Sequence, residues 1–334
     1  MSRPHLASVV EDRWNRALGG LLTRAGWQPR IVGYAGYGGA DFVRVLARVV
    51  LDRPPERSGR SNELRRGWRN FLTAEVGGAE VTITVAGESF VVTTDRSGIV
   101  DARLPRAGLA PGWHQVDLAV DGAQPGTADV VVVADDEDFG IVSDIDDTVI
   151  TTWLPRLLLA TYNTFVLAEE ARKPVDGMAE LYAALLADRP GAPTVYVSTG
   201  PWNAALALTR FLAHHGFPRG PLLLTDWGPT NTGWFRSGRE HKLACLRGLA
   251  TDFPAISWVL VGDDGQRDPV IYAEFAREHP ERVRAIALRE LSMGEQVLAH
   301  GTPTEMREDP AWHGRPEVRG ADGHELADRL RDLG

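Results

Sequence analysis

Three short apolar runs beyond residue 138 of this 334-residue chain each stop on acids or hydroxyls, and that pattern restricts the fold more than any other. The first, Phe139-Gly-Ile-Val-Ser, runs into Asp144, Asp146, Asp147 and Thr148, a D-x-D-x-T pattern. The second, Thr194-Val-Tyr-Val, ends on Ser198, Thr199 and Gly200. The third, Ile256-Ser-Trp-Val-Leu-Val, ends on Gly262, Asp263 and Asp264, with Asp268 close behind. Such runs suit buried strands, and helical patterns near 177–187, 202–215, 240–250 and 269–278 alternate with them and with a fourth run near 283–287. Alternating β and α units imply a parallel sheet with helices on both faces. In such sheets ligands bind just beyond the carboxyl ends of the strands. The reactive residues sit at those ends.

Carboxylates crowded together repel one another unless a cation or a proton offsets them. Asp144 and Asp146, two residues apart beside the Thr148 hydroxyl, suit Mg²⁺-assisted phosphoryl transfer through an aspartyl-phosphate. Asp-Asp-Thr is also good helix-capping chemistry, and taken alone the pattern reads either way. The downstream pieces favour the first reading. Phosphoryl transfer needs a carboxylate nucleophile, a proton carrier, a metal, donors for the phosphate and a cation. Glu240-His-Lys, opening a helical pattern through Leu243, Leu246 and Leu249, supplies the cation in Lys242. Each part comes from a different strand end or helix start.

Seven stretches carry a family resemblance: Ser143-Asp-Ile-Asp-Asp-Thr, Pro174-Val-Asp-Gly-Met, Ser198-Thr-Gly-Pro-Trp, Gly216-Phe-Pro-Arg-Gly, Glu240-His-Lys, Asp252-Phe-Pro and Gly262-Asp-Asp-Gly-Gln-Arg-Asp-Pro-Val-Ile-Tyr. Those around Asp144, Ser198, Lys242 and Asp263 resemble, in order, motifs I to IV of the haloacid dehalogenase-type phosphatases. More narrowly, residues 139–290 resemble the catalytic domain of the actin-patch-protein type of phosphatidate phosphatase. The resemblance implies an α/β, haloacid dehalogenase-like parallel sheet with helices on both faces. It implies that Asp144 is the nucleophile and Asp146 the acid that protonates the leaving oxygen. Thr148 would orient the nucleophile's loop. Ser198, with Thr199 as its immediate alternative, would hold the phosphate, and Gly200 would let backbone approach it. Lys242 would balance Asp144 and the phosphoryl oxygens. Mg²⁺ would be held among Asp144, Asp146, Asp263, Asp264 and Asp268, while Asp147 reads as structural. Thr-Gly follows Ser198 where the family has a Ser-containing pair, and Asp264 replaces a serine. The second departure leaves open which acid touches the metal.

The rest of the chain is read on its own composition. Residues 1–138 are expected to form an amphipathic helix over 5–25 and a β-sandwich-like domain. Its strands are separated by Gly- and Asp-containing turns. Arg53 to Arg69 reads as a loop, and Asp135-Asp-Glu-Asp138 as an acidic hinge. Residues 139–292 form the phosphatase domain and 293–334 a peripheral tail with one short helix near 323–332. The net charge of −9 falls almost wholly beyond residue 135, which argues against nucleic-acid binding. Among 36 basic residues only Lys173 and Lys242 are lysines, and a compact ammonium is not interchangeable with a guanidinium fork. The single cysteine, Cys245, excludes an internal disulfide and reads as a helical core thiol.

No apolar signal core follows Met1, and no stretch reaches the roughly 18 apolar residues of a membrane span. A cytoplasmic protein is expected, with peripheral contact at a membrane surface. The segment Trp153-Leu-Pro-Arg-Leu-Leu-Leu-Ala-Thr-Tyr-Asn-Thr-Phe-Val-Leu, just after Thr148, is the candidate for that contact, or else a helix packed on the sheet. The leading expectation is a Mg²⁺-dependent phosphatase converting phosphatidate to diacylglycerol. The alternatives are a phosphatase for a soluble sugar, nucleotide or protein phosphate, and a catalytically vestigial binding or scaffold protein. No protein partner is indicated.

Overall fold

The computed structural model describes residues 24, 26–52, 74–151, 173–225, 238–265, 267–292, 295 and 314–333. Two units divide between Ala134 and Asp135. Four sequence readings fall outside the described residues: the helix over 5–25 apart from Arg24, the Arg53–Arg69 loop, the Trp153–Leu167 segment and most of the stretch from 293 to 313.

In the first unit eight strands follow one another, with no helix between them among the described residues. They are β1 (Gln28–Gly38), β2 (Phe42–Asp52), β3 (Ala74–Glu75), β4 (Glu80–Val85), β5 (Glu88–Thr93), β6 (Ile99–Pro105), β7 (Gly112–Val120) and β8 (Gly126–Val132). Alternation decides which face turns inward. Val81, Ile83 and Val85 of β4 are buried while Glu80, Thr82 and Thr84 are not, and β6 buries Val100, Ala102 and Leu104 in the same way. The strands make one sheet in the order β3-β2-β1-β8-β7-β4-β5. One edge of β2 pairs with β1; the other pairs with β6 over residues 42–48 and with β3 over 50–51. The β1–β8 pair is parallel and the others antiparallel, so the sheet is mixed. Strands β2, β4, β6, β7 and β8 all contribute to one core around Val45, Val81, Ile83, Leu118 and Val130, so the sheet curls on itself.

The second unit carries β9 (Phe139–Ser143), β10 (Ile150–Thr151), β11 (Lys173–Pro174), α1 (Met178–Leu186), β12 (Thr194–Pro201), α2 (Ala205–His214), β13 (Leu222–Thr225), α3 (Gly238–Asp252), β14 (Ser257–Asp263), α4 (Asp268–Glu278), β15 (Val283–Arg289), β16 (Glu317–Gly320) and α5 (Gly323–Arg331). Six of its strands form a parallel sheet in the order β13-β12-β9-β14-β15-β16, and β10 pairs with β11 apart from it. All five residues of β9 and all but the first of β14 are buried, as in a sheet covered on both faces. Gly140 has a steric role here: a Cβ would lie 2.4 Å from the Trp258 ring on the paired strand. Helix α4 opens on Asp268-Pro269, with proline and an acid in the first turn, where both are favoured. The Asp322 side chain caps α5 by accepting from Glu325 N–H at 2.9 Å.

The expected fold class is not what the structure shows. Among the described residues strand outweighs helix, with sixteen strands against five α-helices, which does not fit a helix-rich haloacid dehalogenase-like α/β fold. Nor is the first unit a two-sheet sandwich preceding it; its strands form a single mixed sheet. The physical reason is the same in both units. Period-2 alternation reports which side chains face a core, but not which strands share hydrogen bonds. Strand β16 is only four residues long and β3 only two, too short to register as periodic. The stretch set apart as a tail supplies β16 and α5, and β16 pairs in parallel with β15.

Candidate active site

The strand order turns at β9, which has β12 on one side and β14 on the other. That is where an open parallel sheet leaves a crevice at its carboxyl end. Asp144 follows β9 directly, and its N–H donates to Val261 O at 2.9 Å, so the pairing with β14 continues one residue past the strand. Asp263 closes β14 and Asp268 opens α4. Helix α3 buries Leu243, Leu246 and Leu249, and with them Lys242. The ammonium lies 2.7 Å from Asp144 Oδ1 and 2.6 Å from Asp268 Oδ1. One oxygen from each of Asp144, Asp263 and Asp268 falls within 4.8 Å of the others. Gly262 makes room for this, because a Cβ would sit 2.6 Å from Asp268 Oδ2.

Three carboxylates and one ammonium are thus removed from water, with no more than 4% of any of the four residues exposed. Burial pushes the Asp144 carboxyl well above its ordinary range; Lys242 pulls it down, and Asp268 and Asp146 push it up. Burial also raises Asp263, reinforced by Asp268 and Asp144. For Lys242 burial acts against the charge, but Asp144 and Asp268 outweigh it and the ammonium holds its proton beyond the usual lysine range. Asp144 Oδ2, both oxygens of Asp263 and Asp268 Oδ2 are buried without a hydrogen-bond partner. A polar atom left so costs about 1–3 kcal/mol, more when charged. Oxygen donors of this number and charge fit a hard divalent cation.

The other sequence candidates stand around this cluster. Ser198, in β12, donates its hydroxyl to Asp146 Oδ2 at 3.1 Å, and Gly200 N–H donates to Ser198 Oγ at 3.0 Å. The carbonyl of Thr199 accepts from Thr225 Oγ1 at 2.8 Å, which fixes the end of β12 to β13. Thr148 is fully buried and its Oγ1 has no hydrogen-bond partner. Asp264 stands apart: its Oδ1 accepts from Leu291 N–H at 2.8 Å, and it is not one of the three clustered acids. His241, beside Lys242, has a ring nitrogen 3.3 Å from Leu223 O and 3.7 Å from Cys245 Sγ.

Sequence reasoning missed two tyrosines. Tyr182 of α1 shares a 2.6 Å hydrogen bond with Ser143 Oγ, immediately before Asp144, and burial raises its phenol. Tyr272 donates to Val261 O at 2.9 Å and lies one helical turn from Asp268. That i, i+4 spacing was a usable signal for Tyr272. Nothing in the sequence marked Tyr182.

With that geometry in place, the relatives can be stated. Residues 139–290 match the family described as phosphatidate phosphatase APP1, catalytic domain. The phosphatidate phosphatase APP1 of Saccharomyces cerevisiae is 27% identical over 151 residues, which are 45% of this chain and 25% of the relative. An uncharacterized protein of Schizosaccharomyces pombe is 26% identical over 162 residues, 48% of this chain and 26% of its own. The chain therefore spans about a quarter of the length of the curated relatives it matches. Among solved structures, a carbohydrate acetylesterase from Xanthomonas citri aligns over 88% of this chain and 71% of its own at 11% identity, with a TM-score of only 0.28. All the residues of the site just described lie inside the APP1-type stretch.

Proposed function

We propose that the chain is a phosphoric monoester hydrolase that converts phosphatidate to diacylglycerol and inorganic phosphate. The observation that carries this reading is Asp144, buried at the end of β9, with one oxygen on Lys242 and the other unpartnered. It has the arrangement of a nucleophile: Lys242 fixes its orientation while no hydrogen bond ties up Oδ2. In the first step Asp144 Oδ2 bonds to phosphorus as the bond from phosphorus to the glycerol oxygen breaks. Asp146, oriented by the Ser198 hydroxyl, gives its proton to that leaving oxygen. In the second step Asp146 takes a proton from water, whose oxygen attacks the aspartyl-phosphate, releasing phosphate and restoring Asp144. The Lys242 ammonium stays charged throughout and offsets the phosphoryl oxygens.

Asp144, Asp263 and Asp268 would hold Mg²⁺, which when bound supplies Lewis-acid stabilisation of phosphoryl charge. A phosphatidate substrate resides in a bilayer, so the reading entails contact with a membrane surface. No described helix is long and apolar enough to cross one. The test is phosphate release from phosphatidate in mixed micelles, with glucose 6-phosphate, a nucleoside monophosphate and a phosphopeptide as comparisons. The full chain should prefer phosphatidate. Asp144→Asn should lose at least about 10³-fold in kcat and Asp146→Asn about 10²–10⁴-fold. Undiminished turnover in Asp144→Asn ends the nucleophile assignment, and preference for a soluble ester ends the lipid one.

A further inference from the structure

Arg289 closes β15, and its guanidinium is buried and reaches three separate acceptors. Nη1 donates to the Asp147 carbonyl at 2.8 Å, Nη2 to Glu295 Oε1 at 2.7 Å, and Nε to Ala321 O at 3.3 Å. Asp147 is the notable partner. Its φ is 59°, in the left-handed region, which strains a non-glycine residue. That conformation belongs to the turn in which Val149 and Ile150 N–H both donate to Ile145 O and Asp147 N–H donates to Ile150 O. The same turn carries Asp146 and Thr148 and begins next to Asp144. Arg289 therefore grips the strained peptide of the loop that presents the reacting carboxylates.

The far end of the grip is anchored. Glu295 Oε2 accepts from the Ser292 N–H at 2.9 Å and from its hydroxyl at 2.8 Å. Ala321 leads into α5, and Glu290 N–H donates to Gly320 O at 2.8 Å beside it. A lysine has one nitrogen and no planar fork, so it cannot reproduce three divergent contacts.

We infer that Arg289 is a positioning residue, which holds the Asp144–Ile150 loop in its reactive shape by tying the Asp147 carbonyl to Glu295 and to the chain entering α5. The kinetic half of this inference rests on the phosphatase reading; the conformational half does not. Arg289→Lys and Glu295→Gln are made in the full chain. Amide hydrogen exchange is followed in peptides covering 144–150 and, as controls, in peptides from β12 and β14. Exchange over 144–150 should accelerate at least tenfold in Arg289→Lys while the controls hold. On phosphatidate, kcat should fall at least tenfold with KM within threefold. Glu295→Gln should shift both in the same direction by a smaller factor, and it decides the matter if the lysine variant does not fold. Unchanged exchange over 144–150 overturns the inference. So does faster exchange across all the peptides with wild-type kcat per folded molecule, the signature of a purely structural arginine. If the wild type releases phosphate from no ester, the functional reading fails and the exchange data still judge Arg289.

Discussion

The two units bury polar groups on opposite terms. In the mixed sheet, Arg48 donates to Glu75 and to Ser97 O, and the buried Thr94 hydroxyl donates to Val76 O at 2.8 Å while accepting from Ala79 N–H at 3.0 Å. In the parallel-sheet unit, Asp144, Asp263 and Asp268 keep buried oxygens with no partner. Among the described residues, every buried side-chain polar atom without a hydrogen bond lies in this second unit. Buried polar groups that serve only stability are closed by hydrogen bonds, because an open one is costly. Thr194 Oγ1 and Trp258 Nε1, near the starts of β12 and β14, are open singly, but the three carboxylates held open together around one lysine, at the ends of β9 and β14 and the start of α4, mark the place where something else is meant to complete them. Local violation of packing rules is what a functional site looks like against a consistent fold.

The contrast breaks most sharply at Lys242. Lys242→Met leaves Asp144 and Asp268 without their counter-charge, and it should cost about 3–5 kcal/mol of stability together with all measurable turnover. Its counterpart in the first unit is Thr94→Val, which should cost about 1–3 kcal/mol and leave kcat and KM unchanged. Urea melts and phosphate-release assays on both variants check the pair. Equal losses of activity would erase the distinction between the units.

The smallest effect concerns a closed group inside the open unit. Burial pushes the Glu295 carboxyl up, but Arg289 and the Ser292 donors outweigh it and hold it below its ordinary value. A depressed carboxyl contributes stability above its unfolded pKa and loses it as pH falls through the folded one. Glu295→Gln should therefore cost about 1 kcal/mol at pH 7 and less at pH 3, read from urea midpoints. A difference that does not shrink as the pH falls would make the contact steric rather than ionic.

The site was easier to read from the sequence than the fold. Asp144, Ser198 and Asp263 announced themselves because each ends a run of buried β-branched residues, and Lys242 because it opens a leucine-spaced helix. Which acid after Asp263 joins the cluster was not readable. It depends on the turn following β14, where Asp264 N–H donates to Arg289 O and the Asp264 carboxylate accepts from Leu291 N–H, outside the cluster. Asp268 takes the place because it opens α4 against the Gly262 backbone. Tyr182 and Arg289 come from elements far along the chain, and only tertiary structure brings them to the loop. In the first unit the inward residues of β4 and β6 were readable by alternation. The sharing of one edge of β2 between β6 and β3 was not, since it depends on long-range pairing.

Thermal denaturation of the wild type and Asp263→Asn, each with and without Mg²⁺, tests most directly whether the open carboxylates await a cation. Ligand at about 100 times its Kd adds about 2.7 kcal/mol, or roughly 5–10 °C in a domain of this size. Mg²⁺ should raise the wild-type Tm by several degrees. Without Mg²⁺, Asp263→Asn should melt above the wild type, because it removes one buried negative charge from a crowded cluster, and Mg²⁺ should then add little. A wild type indifferent to Mg²⁺, or an Asp263→Asn variant that melts lower without it, would contradict the account.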